Sequence, residues 1–220
     1  MAKVSTSSLD PTLIDAASLF DASEVIAERA GRAKVTIDYT KLRACLDSLR
    51  RDHGWRPATL NTILLSIDPS SEGQQRFQSM LRHAGFEPDI VHFRDTFVSV
   101  PPGRSPNEMS GKPVVSLAPR IAYIAGLMAR HPTAQFLVVS HSFELFSALT
   151  DLRHRMPDGK VAIAYFGSLL DYRWKAAGLF DGKVDFEFFD LDPFGDELMG
   201  VDLGTRPSTA REVRSVFSRF

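Results

Sequence analysis

Residues Phe136 to Leu149, FLVVSHSFELFSAL, constrain the fold more than any other stretch of this chain. An apolar run stops at Ser140-His141-Ser142, and a helical pattern begins a few residues later. A strand apolar on both faces suits a parallel sheet covered by helices on both sides. Polar residues at its end then fall on the carboxyl edge of the sheet, where ligands of α/β folds collect. The stretch Ser18 to Ile26, SLFDASEVI, reads the same way, with Asp21 closing an apolar run. Asp21 on one strand end and Ser140, His141, Ser142 and Glu144 on another are therefore the candidate site.

The remaining chain repeats the alternation. A first strand is predicted over Ala16 to Asp21, and Tyr39, Leu42, Leu46 and Leu49 recur at helical spacing before Gly54. Leu60 to Ile67 reads as a buried strand, Ser71 to Ala84 as a helix stopped by Gly85, and Asp89 to Arg94 as a third strand. The stretch Asp95 to Pro113 is rich in Pro, Gly and Ser and has no period, which marks a long loop of the kind that serves function or stays disordered. A helix from about Ser116 to Ala129 follows. Next come strands at Phe136 to Ser140, Val161 to Phe166 and Val184 to Phe189, with helices at Phe143 to Arg153 and Leu169 to Ala177 between them. Such alternation predicts a three-layer α/β/α sandwich with a mostly parallel sheet. Residues 1–12 read as a flexible arm, 13–198 as the domain, and 199–220 as a tail. In that tail Thr209-Ala-Arg-Glu212 resembles a capping box ahead of a short amphipathic helix.

Charge and cysteine usage narrow the setting. A net charge of −1 gives no global attraction to nucleic acid, although a local basic groove remains compatible with it. The one cysteine, Cys45, excludes an intramolecular disulfide and sits on the apolar side of its helix as a buried thiol. No apolar run reaches membrane-spanning length, and MAKVSTSSLD lacks the apolar centre of a signal peptide. A cytoplasmic protein with no membrane association is the expectation.

Three blocks, in order, resemble the NYN family, a branch of the PIN-like metal-dependent nucleases. Members open with a strand ending Asp-Gly-x-Asn, later carry Lys-Gly-x-Asp, and then a strand ending Ser-Gly-Asp-x-Asp-Phe. Here LFDASEVI is set against the first, with Asp21 for the Asp and Glu24 for the Asn. Gly111-Lys112-Pro113-Val114-Val115 is set against the second, with Lys112 kept and Val115 where an acid would stand. LVVSHSFEL is set against the third: Ser140 is kept, His141 replaces Gly, Ser142 the first Asp and Glu144 the second. The resemblance spans roughly residues 16 to 190 and implies a PIN-like fold and phosphodiester hydrolysis of RNA. It implies Asp21 and Glu144 as ligands of Mg²⁺ or Mn²⁺, Glu24 as a third ligand or water-orienting base, and Lys112 with Arg94 at phosphate. Hard divalent cations need several charged oxygens from different chain segments. Val115 and Ser142 thin that set, so the resemblance equally implies a catalytically inactive scaffold that binds RNA or protein, or dimerises through a helical face or the tail.

Ordinary roles compete at each position. Asp21 would serve as a helix cap, Ser140 and Ser142 are natural N-caps, and Glu24 and Glu144 suit a first helical turn. Ser142 beside His141 lacks the flanking glycines of a hydrolase nucleophile elbow. Asp190, Asp192 and Asp196 suit a solvated strand exit. The arginines Arg50, Arg51, Arg56, Arg153 and Arg155 suit solvated helix faces, with RNA contact the alternative, and Trp55 and Trp174 are expected to pack.

Overall fold

The computed structural model describes residues 9–67, 72–92, 131, 133–201 and 203. Among these residues six strands form one sheet: β1 (Pro11–Asp15), β2 (Leu60–Ile67), β3 (Glu87–His92), β4 (Gln135–Val139), β5 (Lys160–Tyr165) and β6 (Glu187–Asp190). Their order is β3-β2-β1-β4-β5-β6, and every pairing is parallel. Helices flank the sheet: α1 (Ala16–Arg29), α2 (Tyr39–Asp52), α3 (Glu72–His83), α4 (Phe146–Arg155), α5 (Tyr172–Ala176) and α6 (Gly195–Met199). The architecture is the expected three-layer α/β/α sandwich. Among the described residues, no helix is long and apolar enough to cross a membrane.

The central strands are buried along their whole length: PTLID in β1 and QFLVV in β4 show no exposed residue. Burial on both faces explains why β4 and β5 read as continuous apolar runs. β2 lies where it is expected, and the other later strands lie within a few residues of expectation.

The first strand does not lie at Ala16–Asp21. It precedes that segment, beginning at Pro11 inside the stretch expected to be an arm, and Ala16–Asp21 forms the first turns of α1. Pro is tolerated as the first residue of a strand. Asp15, not Asp21, closes the apolar run, and its carboxylate caps α1 by accepting from the Ala17 N–H at 3.1 Å. In α1 the residues Ser18, Leu19, Ala22 and Ile26 face inward, at the three- and four-residue spacing of a helix.

A second network fixes the opposite, amino edge. Arg50 of α2 is fully buried, and its Nη2 donates to the carbonyls of Pro11 (2.9 Å) and Gln135 (3.2 Å) and to the Thr12 hydroxyl (3.2 Å). Its Nη1 donates to the Arg56 carbonyl at 3.0 Å. Burial pushes this guanidinium down to about 10, against the pull of Asp10. Arg56 in turn donates twice to the buried Asp10 carboxylate, at 2.7 Å each. Both arginines were expected on solvated faces; Arg50 is instead buried, and Arg56, whose side chain stays 41% exposed, is held by Asp10, so that the two tie the starts of β1 and β4 together. Arg153 and Arg155 pair with Asp185 and Asp151.

Candidate functional site at the carboxyl edge

In this strand order the chain reverses direction across the sheet between β1 and β4, and the crevice outside those two strand ends is where α/β sheets bind ligands. The residues there are Asp15 and Ser18 from the β1–α1 junction, and Ser140, His141 and Ser142 from the exit of β4.

Asp15, Ser18 and Ser140 form a closed clamp. Ser18 Oγ donates to Asp15 Oδ2 at 2.5 Å, and Ser140 Oγ donates to the same oxygen at 3.1 Å. The two hydroxyl oxygens lie 3.0 Å apart. Each also accepts a main-chain N–H from the β4 exit: Ser18 Oγ from His141 at 3.4 Å, Ser140 Oγ from Ser142 at 3.2 Å. Asp15 is 9% exposed, Ser18 1% and Ser140 0%. A buried polar set in which each member has partners rigidifies the backbone around it. Tyr165, at the end of β5, adds a hydrogen bond from its hydroxyl to the Ser18 carbonyl at 2.7 Å. Its hydroxyl is pushed well above the usual tyrosine range, chiefly by burial and further by the charges of Asp21 and Asp15.

His141 sits half-buried over this clamp, its ring 5.3 Å from that of Tyr165. Its Nδ1 is buried and has no hydrogen-bond partner among the described residues. Its carbonyl accepts from Trp174 Nε1 at 3.0 Å. Ser142 begins a short 3-10 turn over Phe143–Leu145 but makes no side-chain cap. Glu144 in that turn is exposed and lies within electrostatic reach of Arg173.

On the adjoining strand ends, Asp190 Oδ1 accepts the N–H groups of Gly167 and Asp192, each at 3.0 Å. Asp192 accepts from the Ser168 N–H (2.7 Å) and hydroxyl (3.0 Å). Burial holds the Asp192 carboxyl above its ordinary range, with the Asp190 charge adding to the effect. These acids organise turns, as a strand exit requires, while Asp196 is exposed.

The expected site residues divide accordingly. Ser140, His141 and Ser142 do meet at the switch point. Asp21 and Glu24 lie on exposed positions of α1 rather than at a strand end. Among the described residues, no three His, Cys, Asp or Glu side chains gather as a metal-holding group, so Asp21, Glu24 and Glu144 do not form a three-acid set. The donor chemistry at Asp15 also fits Mg²⁺ or Mn²⁺ poorly, because both serine hydroxyls already donate to its Oδ2 and the Ala17 N–H to its Oδ1, which leaves one acceptor site on one carboxylate. Lys112, Arg94, the 95–113 loop, the 116–129 helix and the 209–220 tail helix lie outside the described residues. Sequence reasoning missed Asp15 and Ser18. Their signal was an N-capping Asp directly before the helix-favouring Ala16-Ala17.

Two surface grooves among the described residues lie away from this edge. A groove of ≈ 570 Å³ runs between α4 and residues 183–186, lined by Phe146, Arg153 and Phe186 among others. A second, of ≈ 450 Å³, lies beside Arg43, Asn61 and Phe86.

Fold and site together define a doubly wound α/β protein with a hydrogen-bonded clamp at its switch point. The first β–α turn, Asp15-Ala16-Ala17-Ser18, has none of the glycines that bring a backbone against a dinucleotide pyrophosphate. The chain is similar in structure to a protein of unknown function from Vibrio parahaemolyticus, with a TM-score of 0.56 at 14% identity, over 89% of this chain and 98% of that one. At that identity the likeness concerns the fold alone. No family model and no curated protein matches the sequence.

Proposed function

We propose that this chain is an NYN/PIN-like protein that binds RNA at the carboxyl edge of its sheet without cutting it. The observation that carries the reading is the condition of Asp15. On this reading the family's Asp-Gly-x-Asn block is set against Asp15-Ala16-Ala17-Ser18 at the end of β1, six residues earlier than the LFDASEVI alignment. Asp15 keeps the acid and Ser18 stands for the Asn. The Ser-Gly-Asp-x-Asp block falls on Ser140-His141-Ser142-Phe143-Glu144 beside it. Where the family gathers carboxylates around a cation, two serine hydroxyls here donate to the one strand-end carboxylate, and hydrogen bonds from uncharged groups take the place of the metal. That exchange preserves the shape of the edge while removing the charge density that activates water. A cytoplasmic setting, with Cys45 reduced and buried, accords with this role.

The test is incubation of labelled single-stranded RNA with the protein in Mn²⁺, in Mg²⁺ and in EDTA, with Asp15→Asn alongside. Retained binding in EDTA and intact RNA throughout is the expected result. Cleavage that disappears in EDTA and in Asp15→Asn would instead establish a metal-dependent ribonuclease.

A second reading, a protein-interaction or dimerisation scaffold, draws on the exposed apolar residues Phe20 and Val25 of α1 and Met80 of α3. Sedimentation would detect a homodimer, and Phe20→Ser with Met80→Ser would dissolve it.

A further inference from the structure

We propose that Tyr172 is a stacking platform for an unpaired RNA base at the rim of the carboxyl edge, with Lys175 meeting the neighbouring phosphate. This rests on the RNA-binding reading of that edge and names how the RNA is held.

Tyr172 is 76% exposed. A lone exposed aromatic needs no special account, but this one is rigidly mounted. It opens the one-turn helix α5, whose cap Asp171 accepts from the Arg173 N–H at 2.9 Å. The Arg173 guanidinium is held to the Asp171 carboxylate by contacts of 2.6, 3.0 and 3.1 Å, and lies 5.2 Å from the centre of the Phe143 ring. Trp174 is fully buried, packs edge-on against Phe143 and Phe146 at 5.1 and 5.8 Å, and bonds to the His141 carbonyl. Three neighbours of Tyr172 are thus fixed, two of them directly onto the β4 exit. A ring displayed on a fixed turn gives up little conformational freedom when it captures a flat ligand.

Charge and spacing favour a nucleotide as that ligand. Lys175 stands three residues beyond Tyr172, on the same helical face, with its Nζ 5.9 Å from the centre of the Phe180 ring. Arg173 has its charge balanced by Asp171, whereas Lys175 has no carboxylate partner among the described residues and stays available as a cation of this face. An aromatic face beside a cation is the arrangement by which single strands are held, base on ring and phosphate on ammonium. Bases inside a duplex are already stacked, so the platform selects single-stranded RNA.

The experiment uses the full chain and a single-stranded RNA decamer carrying one 2-aminopurine, followed by anisotropy for affinity and by fluorescence quenching for stacking. The expected result is quenching on binding, lost in Tyr172→Ala together with about ten-fold in affinity. Tyr172→Trp should keep both, and Tyr172→Leu, apolar without a π face, should lose both. Lys175→Gln should lower the slope of log affinity against log salt by about one unit. If the wild type binds the decamer and Tyr172→Ala keeps its affinity and quenching, the platform is refuted while the RNA-binding edge stands. If Tyr172→Leu binds as the wild type does, the ring is an ordinary apolar contact, such as a protein partner would use, and the proposal falls. If the wild type binds no RNA, the reading of the edge fails and the platform fails with it.

Discussion

Ser140, just past the end of β4, and Asp15, the last residue of β1, meet at the carboxyl edge through a hydroxyl-to-carboxylate hydrogen bond of 3.1 Å, with Ser18 Oγ on the same carboxylate oxygen. The bond joins the two strands that flank the switch point, so it bears on stability as well as on chemistry.

Asp15→Ala removes a helix cap and leaves two buried hydroxyls without their acceptor. A loss of about 2–3 kcal/mol is expected, of which the cap contributes about 1. Ser140→Ala should cost about 1 kcal/mol. Urea denaturation of both single variants and the double variant measures the coupling between them. Additive losses would mean the clamp does not act as a unit.

Arg50→Met keeps an apolar stem of similar length but strands the carbonyls of Pro11, Gln135 and Arg56 without their donor. Unmet buried acceptors are costly, and a loss of about 3 kcal/mol is expected. A thermal midpoint within a degree or two of wild type would contradict the account of the amino edge.

Glu187 offers a pH-dependent handle. Its partial burial opposes ionisation, but hydrogen bonds from His53 and Trp55 and the nearby Lys160 outweigh that and hold its carboxyl below the ordinary range. A depressed folded-state value means that its stabilisation is present above the usual glutamate range and is lost as pH falls through the folded value. Asp192, held above its range, acts in the opposite direction, destabilising the fold as pH rises through the ordinary aspartate value. Glu187→Gln should therefore flatten the acid limb of a stability–pH curve. An unchanged limb would show that the contacts of Glu187 with His53 and Trp55 carry no net weight.

Gly167 leaves little room for a side chain. A Cβ there would stand 3.1–3.3 Å from the Asp190 carboxylate, which already accepts the Gly167 N–H. Gly167→Ala should displace Asp190 and cost about 1–2 kcal/mol. Gly167→Ala combined with Asp190→Ser should recover part of that loss, and failure to do so would place the strain elsewhere.

Strands β4 and β5 were legible because burial on both faces writes a nearly continuous apolar run, and β2 because Ile63, Leu64 and Leu65 stand together as a buried apolar block. β1 was not, although it shares the centre of the sheet with β4, because its Pro11, Thr12 and Asp15 look like loop residues. Their polar groups are buried through partners on other elements, such as Arg50 for Thr12 and Ser140 for Asp15, and one-dimensional patterning does not reveal such partners. Ala16–Asp21 offered a better imitation of a strand than the strand itself. Of the site, the β4 exit was legible because its polar residues interrupt an apolar run. Ser18 entered only as the first residue of the SLFDASEVI stretch, and its role became visible once β1 was placed.

The sheet order also dictates a schedule. β1 is an interior strand, paired with β2 on one side and with β4 on the other, where Thr12 lies beside Leu137. During synthesis β1, β2 and β3 emerge well before β4, so one side of β1 must wait with its ladder groups unmatched. A nascent chain halted in that interval would carry an open, apolar strand margin, the kind of surface that recruits chaperones or pairs with a neighbouring chain.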